Sequence, residues 1–420
     1  MKFNKWTLGL AAVGIVSLNS AANADDQAAA PAPSTVLTAL SSTTLSGYVD
    51  TSAQWNLGTG NANSPNYFGG GADKADGFNL NVVDVALDKP LDESEWAAGY
   101  HVELWLGPDA NKLGTQSIEA EGAADFAIRQ AYVTLRTPIG NGIDWKIGVW
   151  DTIIGYESLT SYNNPNYTHS YGFTIEPTSH TGILGTYKVS DCLNITAGIA
   201  NTFGPTINEK AQGPNFSNSG FGNMAESYKT YMAAIGLTAP SSWGWIGGST
   251  LSAGVINGFN SGAGDFTGLG QTSLYVGTTV NTPLSALKLG ASLDYLTVRD
   301  WSESGLVGQD GTAWAGALYA SYQATEKLSL NLRGEFLDDS ADLIENEAAL
   351  GLGRAKIWAL TATAQYDLWK NVVSRVEFRW DHGDNGRFFG ANANTSAGPG
   401  TGGPSRRNAA MLAAQIIYKF

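Results

Sequence analysis

Leu328-Ser329-Leu330-Asn331-Leu332-Arg333-Gly334-Glu335-Phe336 decides the fold class. Leu328, Leu330, Leu332 and Phe336 share one face at every second position, and Ser329, Asn331, Arg333 and Glu335 share the other. That repeat belongs to a strand with one apolar and one polar side, whereas a helix would repeat at about 3.6 residues. The same alternation recurs outward from this stretch. Leu287, Leu289, Ala291, Leu293 and Tyr295 alternate with Lys288, Gly290, Ser292 and Asp294 before it. After it, Val372, Val376, Phe378 and Trp380 alternate with Arg375, Glu377 and Arg379.

Sixteen such segments are counted, starting near Leu45, Asn79, Gly99, Ile128, Ile143, Thr181, Leu193, Thr230, Thr250, Ser273, Leu287, Trp314, Leu328, Ile357, Val372 and Ala410. The second carries a phase slip at Val82-Val83, and the fourth is ambiguous around Arg129. Short connections such as Asp367–Asn371 alternate with long ones, of which Asp151–His180 reads as the longest. Gly-, Asn- and Asp-rich stretches such as Asn61–Gly71 suit exposed loop tips.

The first residues read as an address. Lys2 and Lys5 precede an apolar stretch from Trp6 to Leu18, and Ala22-Asn23-Ala24 is a small-x-small cleavage pattern. The expected organisation is a signal peptide over 1–24, a flexible Ala/Pro/Ser-rich linker over 25–42 and one domain over 43–420. Composition narrows the rest. The single cysteine excludes a disulfide scaffold or a Cys-based metal centre. Formal charge is −14 and the pI about 4.7, which argues against nucleic acid as a partner. Mean hydropathy is −0.12, too low for a multi-span helical membrane protein.

An exported chain of amphipathic strands without an apolar helix can enter a membrane only as a closed barrel, because every backbone group must be paired in lipid. The fold expected is therefore all-β: a transmembrane, antiparallel, up-and-down β-barrel of about 16 strands, with short periplasmic turns and long extracellular loops. Apolar side chains should point at hydrocarbon and polar ones at a water-filled middle. Trp55, Trp145, Trp314, Trp358 and Trp380 near strand ends suit interfacial girdles. The last strand ends Ile416-Ile417-Tyr418-Lys419-Phe420. Its terminal aromatic looks like the mark read by bacterial outer-membrane assembly.

Leu45-Ser46-Gly47-Tyr48-Val49-Asp50, Gly155-Tyr156-Glu157 and the run from Ser170 to Gly182 make the chain resemble bacterial outer-membrane porins, specifically the OmpL-like β-barrel porins. The resemblance implies passive diffusion of small hydrophilic solutes and ions, with no cofactor and no catalysis. It also implies a homotrimer among outer-membrane lipids and lipopolysaccharide. In general porins the loop equivalent to 151–180 folds inward. Strand thirteen lies opposite strand five in a ring of sixteen. A pore constriction is therefore expected with Asp151, Glu157 and Glu176 on the loop, facing Arg333, Arg375 and Arg379 among the wall charges Glu335 and Glu377. The competing expectation is that these wall charges simply pair with one another.

A substrate-specific channel, for instance for sugars, could use Tyr48, Trp105, Tyr132 and Trp150 as an inward aromatic track. A barrel enzyme would need Asp/His or Ser/His sets, and His101, His169, His180 and His382 show no spacing that supports one. A soluble secreted β-protein is the remaining alternative. Asp338, Asp339, Asp342, Glu345 and Glu347 are assigned to one solvated outer loop, and Cys192 to a turn without a role.

Overall fold

The computed structural model describes residues 42–58, 64–65, 74–116, 125–211, 228–259, 270–301, 309–340, 354–390 and 404–420. The expected signal peptide (1–24), nearly all of the expected linker (25–42), and Asp342, Glu345 and Glu347 lie outside these residues. The strands begin with β1 (Thr44–Leu57), β2 (Gly77–Lys89), β3 (Ala98–Leu106), β4 (Phe126–Thr137) and β5 (Ile143–Asp151). They continue with β6 (Ser179–Ser190), β7 (Leu193–Ala200), β8 (Thr230–Thr238), β9 (Thr250–Phe259), β10 (Gly270–Asn281) and β11 (Leu287–Trp301). The last are β12 (Gln309–Gln323), β13 (Leu328–Asp339), β14 (Ala355–Trp369), β15 (Val372–Gly383) and β16 (Asn408–Lys419). Two short helices, α1 (Pro108–Leu113) and α2 (Tyr171–Ile175), sit in long connections.

Each strand pairs antiparallel with its sequence neighbours, and β1 pairs β16, so the sheet closes on itself. The seam ends in a reciprocal pair: Gly47 N–H donates to Phe420 O at 3.1 Å and Phe420 N–H to Gly47 O at 3.0 Å. Closure leaves no edge strand with open backbone groups. Connections at one end are short, down to Lys370-Asn371 between β14 and β15, where Asn371 takes φ 68° to make the turn. Those at the other end are mostly long, although residues 302–308 span only the gap from β11 to β12.

The pleat sorts side chains as the alternation requires. Leu330, Leu332, Leu360, Val376, Phe378 and Ile416 are exposed on the outside, while Asn331, Arg333, Glu335, Arg375, Glu377 and Arg379 are buried inside. Both expected irregularities are bulges. Asp50 pairs Val82 and Thr51 pairs Leu80, leaving Asn81 as the extra residue. Glu103 pairs Gln130 and Leu104 pairs Ile128, leaving Arg129 extra. A bulge shifts the phase of everything after it, which is the slip seen in the sequence.

Four expectations need correction. β12 begins at Gln309, not near Trp314, because its small and polar leading residues carry no apolar alternation. The connection 201–229 is two residues longer than 152–178, so the latter is not the longest. Asp338 and Asp339 belong to β13, and Asp338 is bonded by Arg354 (Nη2 to Oδ2, 2.7 Å). Finally, the middle is not lined by polar groups throughout. Toward the long-loop end Trp150, Leu184, Met232, Ile256, Leu296 and Ile357 point inward and form one buried cluster with Ile153, Ile154 and Ile175 of the loop between β5 and β6. A folded-in loop needs its own apolar contacts, and the barrel wall supplies them.

Candidate functional site in the loop-crossed lumen

Cross-strand register gathers the inward polar residues of β13–β16 and β1 into rows. Arg333, Thr361 and Arg379 are directly opposite one another. So are Asn331, Thr363 and Glu377. Arg375, Gln415 and Ser52 form a further row. Neighbours in such rows lie about 5 Å apart, close enough to act as one surface.

The loop 152–178 leaves β5 and reaches this opposite wall. Gly155, at φ 116°, makes the backbone turn that an L side chain disfavours. Tyr156 then stacks on Tyr319 of β12, ring centroids 4.2 Å apart, and meets Thr279 Oγ1 of β10 at 3.1 Å. Further on, Ser170 caps α2 by accepting from Phe173 N–H at 3.2 Å.

Along β13–β15 the wall charges bind the loop backbone. Arg375 donates to Ser161 O at 2.9 Å and to Asn164 O at 2.6 Å. Arg333 donates to Thr168 O at 2.7 Å and His169 O at 3.1 Å, and Arg379 to His169 O at 2.8 Å. Glu377 accepts from Tyr167 N–H at 2.6 Å, Thr168 N–H at 3.0 Å and Thr168 Oγ1 at 2.6 Å. Glu335 accepts from Tyr171 N–H at 2.7 Å, and Asp381 from Tyr171 OH at 3.0 Å. The arginines and Glu377 are 0–2% exposed, so they are sealed under the loop and not in contact with the lumen water.

One loop acid reaches the arginines. Glu157 accepts from Arg333 Nη1 at 3.0 Å, from Tyr319 OH at 3.0 Å and from Ser170 N–H at 2.9 Å. Burial works to raise its pKa, but Arg333 and these hydrogen bonds outweigh it and hold the carboxyl below its usual range. Asp151 and Glu176 do not join it there. Asp151 ends β5 and takes Arg129 Nη2 of β4 at 2.6 Å, while Glu176 faces Asp294 of β11. The three acids instead share the lining of a cavity of about 30 Å³ inside the loop. The wall charges also pair locally, Arg379 with Asp381 at 2.9 Å and Arg333 with Glu335 at 3.0 Å, while the same arginines reach backbone carbonyls of the loop.

Sequence reasoning missed Asp381, Thr168 and Tyr171. Asp381 continues the inward parity of Arg375, Glu377 and Arg379, a signal that was there to read. Thr168 and Tyr171 had none, since a loop has no period.

The wall of β2–β5 is different. Asp88, His101, Gln130, Tyr132, Lys146 and Asp151 are only partly buried. Lys146 Nζ lies 4.6 Å from the Tyr132 ring centroid, and His101 bridges Asp88 (3.0 Å) and Glu103 (3.3 Å). The aromatic track does not form: Tyr48, Trp105 and Trp150 are at most 1% exposed, and Trp105 and Trp150 fall in separate packed clusters.

The closed barrel crossed by a folded loop has counterparts among known proteins. Residues 42–420 match the family described as beta-barrel porin-2, OmpL-like. The chain belongs to that family. It is an outer-membrane porin of bacteria. Solved structures with the same fold include the anion-selective porin from Comamonas acidovorans, at 14% identity and TM-score 0.56, covering 90% of this chain and 99% of that one. The outer membrane channel DcaP of Acinetobacter baumannii has 14% identity and TM-score 0.56 over 90% and 97% of the two chains. OmpT of Vibrio cholerae, in its trimer form, has 12% identity and TM-score 0.52 over 90% and 99%. No curated protein sequence matches this porin.

Proposed function

We propose that small hydrophilic solutes and ions cross this porin through the water between the strapped loop 152–178 and the half-exposed wall of β2–β5. The observation that carries this reading is the loop itself, bonded to the far wall from Arg375 to Glu335. A segment held there narrows the lumen from one side only. Of the residues expected at the constriction, Glu157, Arg333, Glu335, Arg375, Glu377 and Arg379 act by holding the loop in place. Asp151, held by Arg129 and near Lys146, borders the passage with a partly exposed side chain.

Three of the four histidines lie apart from one another. His101 sits between two carboxylates, His169 packs on the Phe173 ring and His382 bonds Asn408, each in a different part of the barrel. A homotrimer in a lipopolysaccharide-bearing membrane is the assembly we assign, supported by the trimer form of the Vibrio cholerae relative. The signal peptide (1–24) and linker (25–42) belong to the same reading of an exported chain.

Planar-bilayer recording of the purified porin tests the passage. The expected result is stepwise conductance that rises with salt concentration and passes ions of both signs. Insertion without conductance steps would overturn it.

A further inference from the structure

The return limb of the loop carries a contact that the straps do not explain. Asp294 points inward from β11 and is 2% exposed, yet neither of its carboxylate oxygens meets a hydrogen-bond donor. The group facing it is the carboxyl of Glu176, at the end of the loop. Ionised carboxylates only accept hydrogen bonds, so two of them face each other favourably only when one carries a proton.

The loop is shaped around this pair. A Cβ on Gly172 would collide with Asp294 Oδ2, and a Cβ on Gly155 with Glu176 Oε2. Glycine at both places lets the outgoing and returning limbs close on the two carboxyls. We propose that Glu176 and Asp294 hold one proton between them, and that this shared proton latches the return limb of the loop to β11, so that raising the pH releases it.

The surroundings favour sharing over ion pairing. From the loop itself, Glu157 adds a third carboxylate, already engaged by Arg333, and His169 acts on Glu157. Tyr275 of β10 stands against both carboxyls of the pair, and Tyr156 of the loop and Tyr319 of β12 stand against Glu157. Among the inward positions of β11 the nearest base is Lys288, three inward positions toward the short-turn end, and Arg299 faces outward. Burial, then the Asp294 and Glu157 charges, push the Glu176 carboxyl well above its usual range. A pKa raised in the latched state means that latching is complete below it and is lost as pH rises through it. With one proton involved, the latch weakens about tenfold per pH unit above the midpoint.

The latch matters to permeation only if the loop narrows the passage, so the test reads the loop apart from the pore. Hydrogen–deuterium exchange of the amides in 171–178 is followed on the full chain in detergent micelles from about pH 5 to about pH 9, corrected for intrinsic exchange. The wild type should lose protection about tenfold per pH unit above its midpoint. Glu176→Gln, whose amide donates to Asp294 at every pH, should stay protected throughout, and Asp294→Asn should do the same. Constant wild-type protection across the range overturns the proposal, as does an unchanged titration in both variants. Conductance measured in parallel separates the two readings. A titrating loop with pH-independent conductance removes the narrowing and leaves the latch. A pH-independent loop removes the latch whatever the pore does.

Discussion

Glu377→Gln tests how strongly the wall holds the loop. Glu377 accepts four hydrogen bonds: Tyr167 N–H at 2.6 Å, Thr168 N–H at 3.0 Å, Thr168 Oγ1 at 2.6 Å and Thr363 Oγ1 at 2.7 Å. In glutamine one oxygen becomes an NH2 group of the same size. The Oε1 side can still take the Thr168 pair, and the NH2 then faces Tyr167 N–H, donor against donor. Thr363 can rotate its hydroxyl to accept, but Asn166 Nδ2 already donates to that oxygen at 2.7 Å. One charge-assisted bond is lost outright and the others lose their charge. With such bonds at about 1.5–3 kcal/mol each, the loop's docking weakens by about 3 kcal/mol. At about 1.4 kcal/mol per factor of ten, that moves the docked-to-released equilibrium by about two orders of magnitude. Single-channel recording reads it as excursions to a larger conductance level that the wild type visits about a hundredfold less often. Traces with the wild-type level, noise and dwell times would refute the idea that the loop is held by this carboxylate.

Two further changes probe the barrel. Leu332→Arg puts a charge on the lipid face of β13, where Leu332 is 50% exposed. It should destabilise by about 2–4 kcal/mol near the bilayer midplane, seen as a lower urea midpoint for the folded band on unboiled gels. Gly148→Ala places a methyl group against Ala131 O at φ 137°, so assembly yield should fall even though only a methyl is added.

Strand number and facing were legible because lipid outside and water or loop inside impose a strict period of two. In β13 and β15 every inward charge, from Arg333 to Arg379, follows from counting by twos. Even the bulges left a trace, as the phase slip at Val82-Val83 and the ambiguity at Arg129. Strand ends were less legible where leading residues are small, as in β12. The destination of the loop was not legible at all. Its length and its acids suggested a pairing with the arginines, and Glu157 makes one. Elsewhere on the loop the arginines grip backbone carbonyls, those of Ser161, Asn164, Thr168 and His169, and a carbonyl is identical at every residue and leaves no letter in the sequence. The inward apolar cluster left a trace that the period of two does not explain: Trp150, Ile256 and Leu337 directly follow Val149, Val255 and Phe336, and only the arriving loop gives those inward apolar positions a partner.

Removing the loop's crossing segment tests whether the loop narrows the lumen. Residues 156–174 are replaced by a short Gly-Ser link, and solute size cut-off is measured by swelling of liposomes containing the intact or the shortened porin. Narrowing by the loop requires that the intact porin admit small sugars and that the shortened one admit distinctly larger ones at higher rates. Equal cut-offs for the two would contradict it.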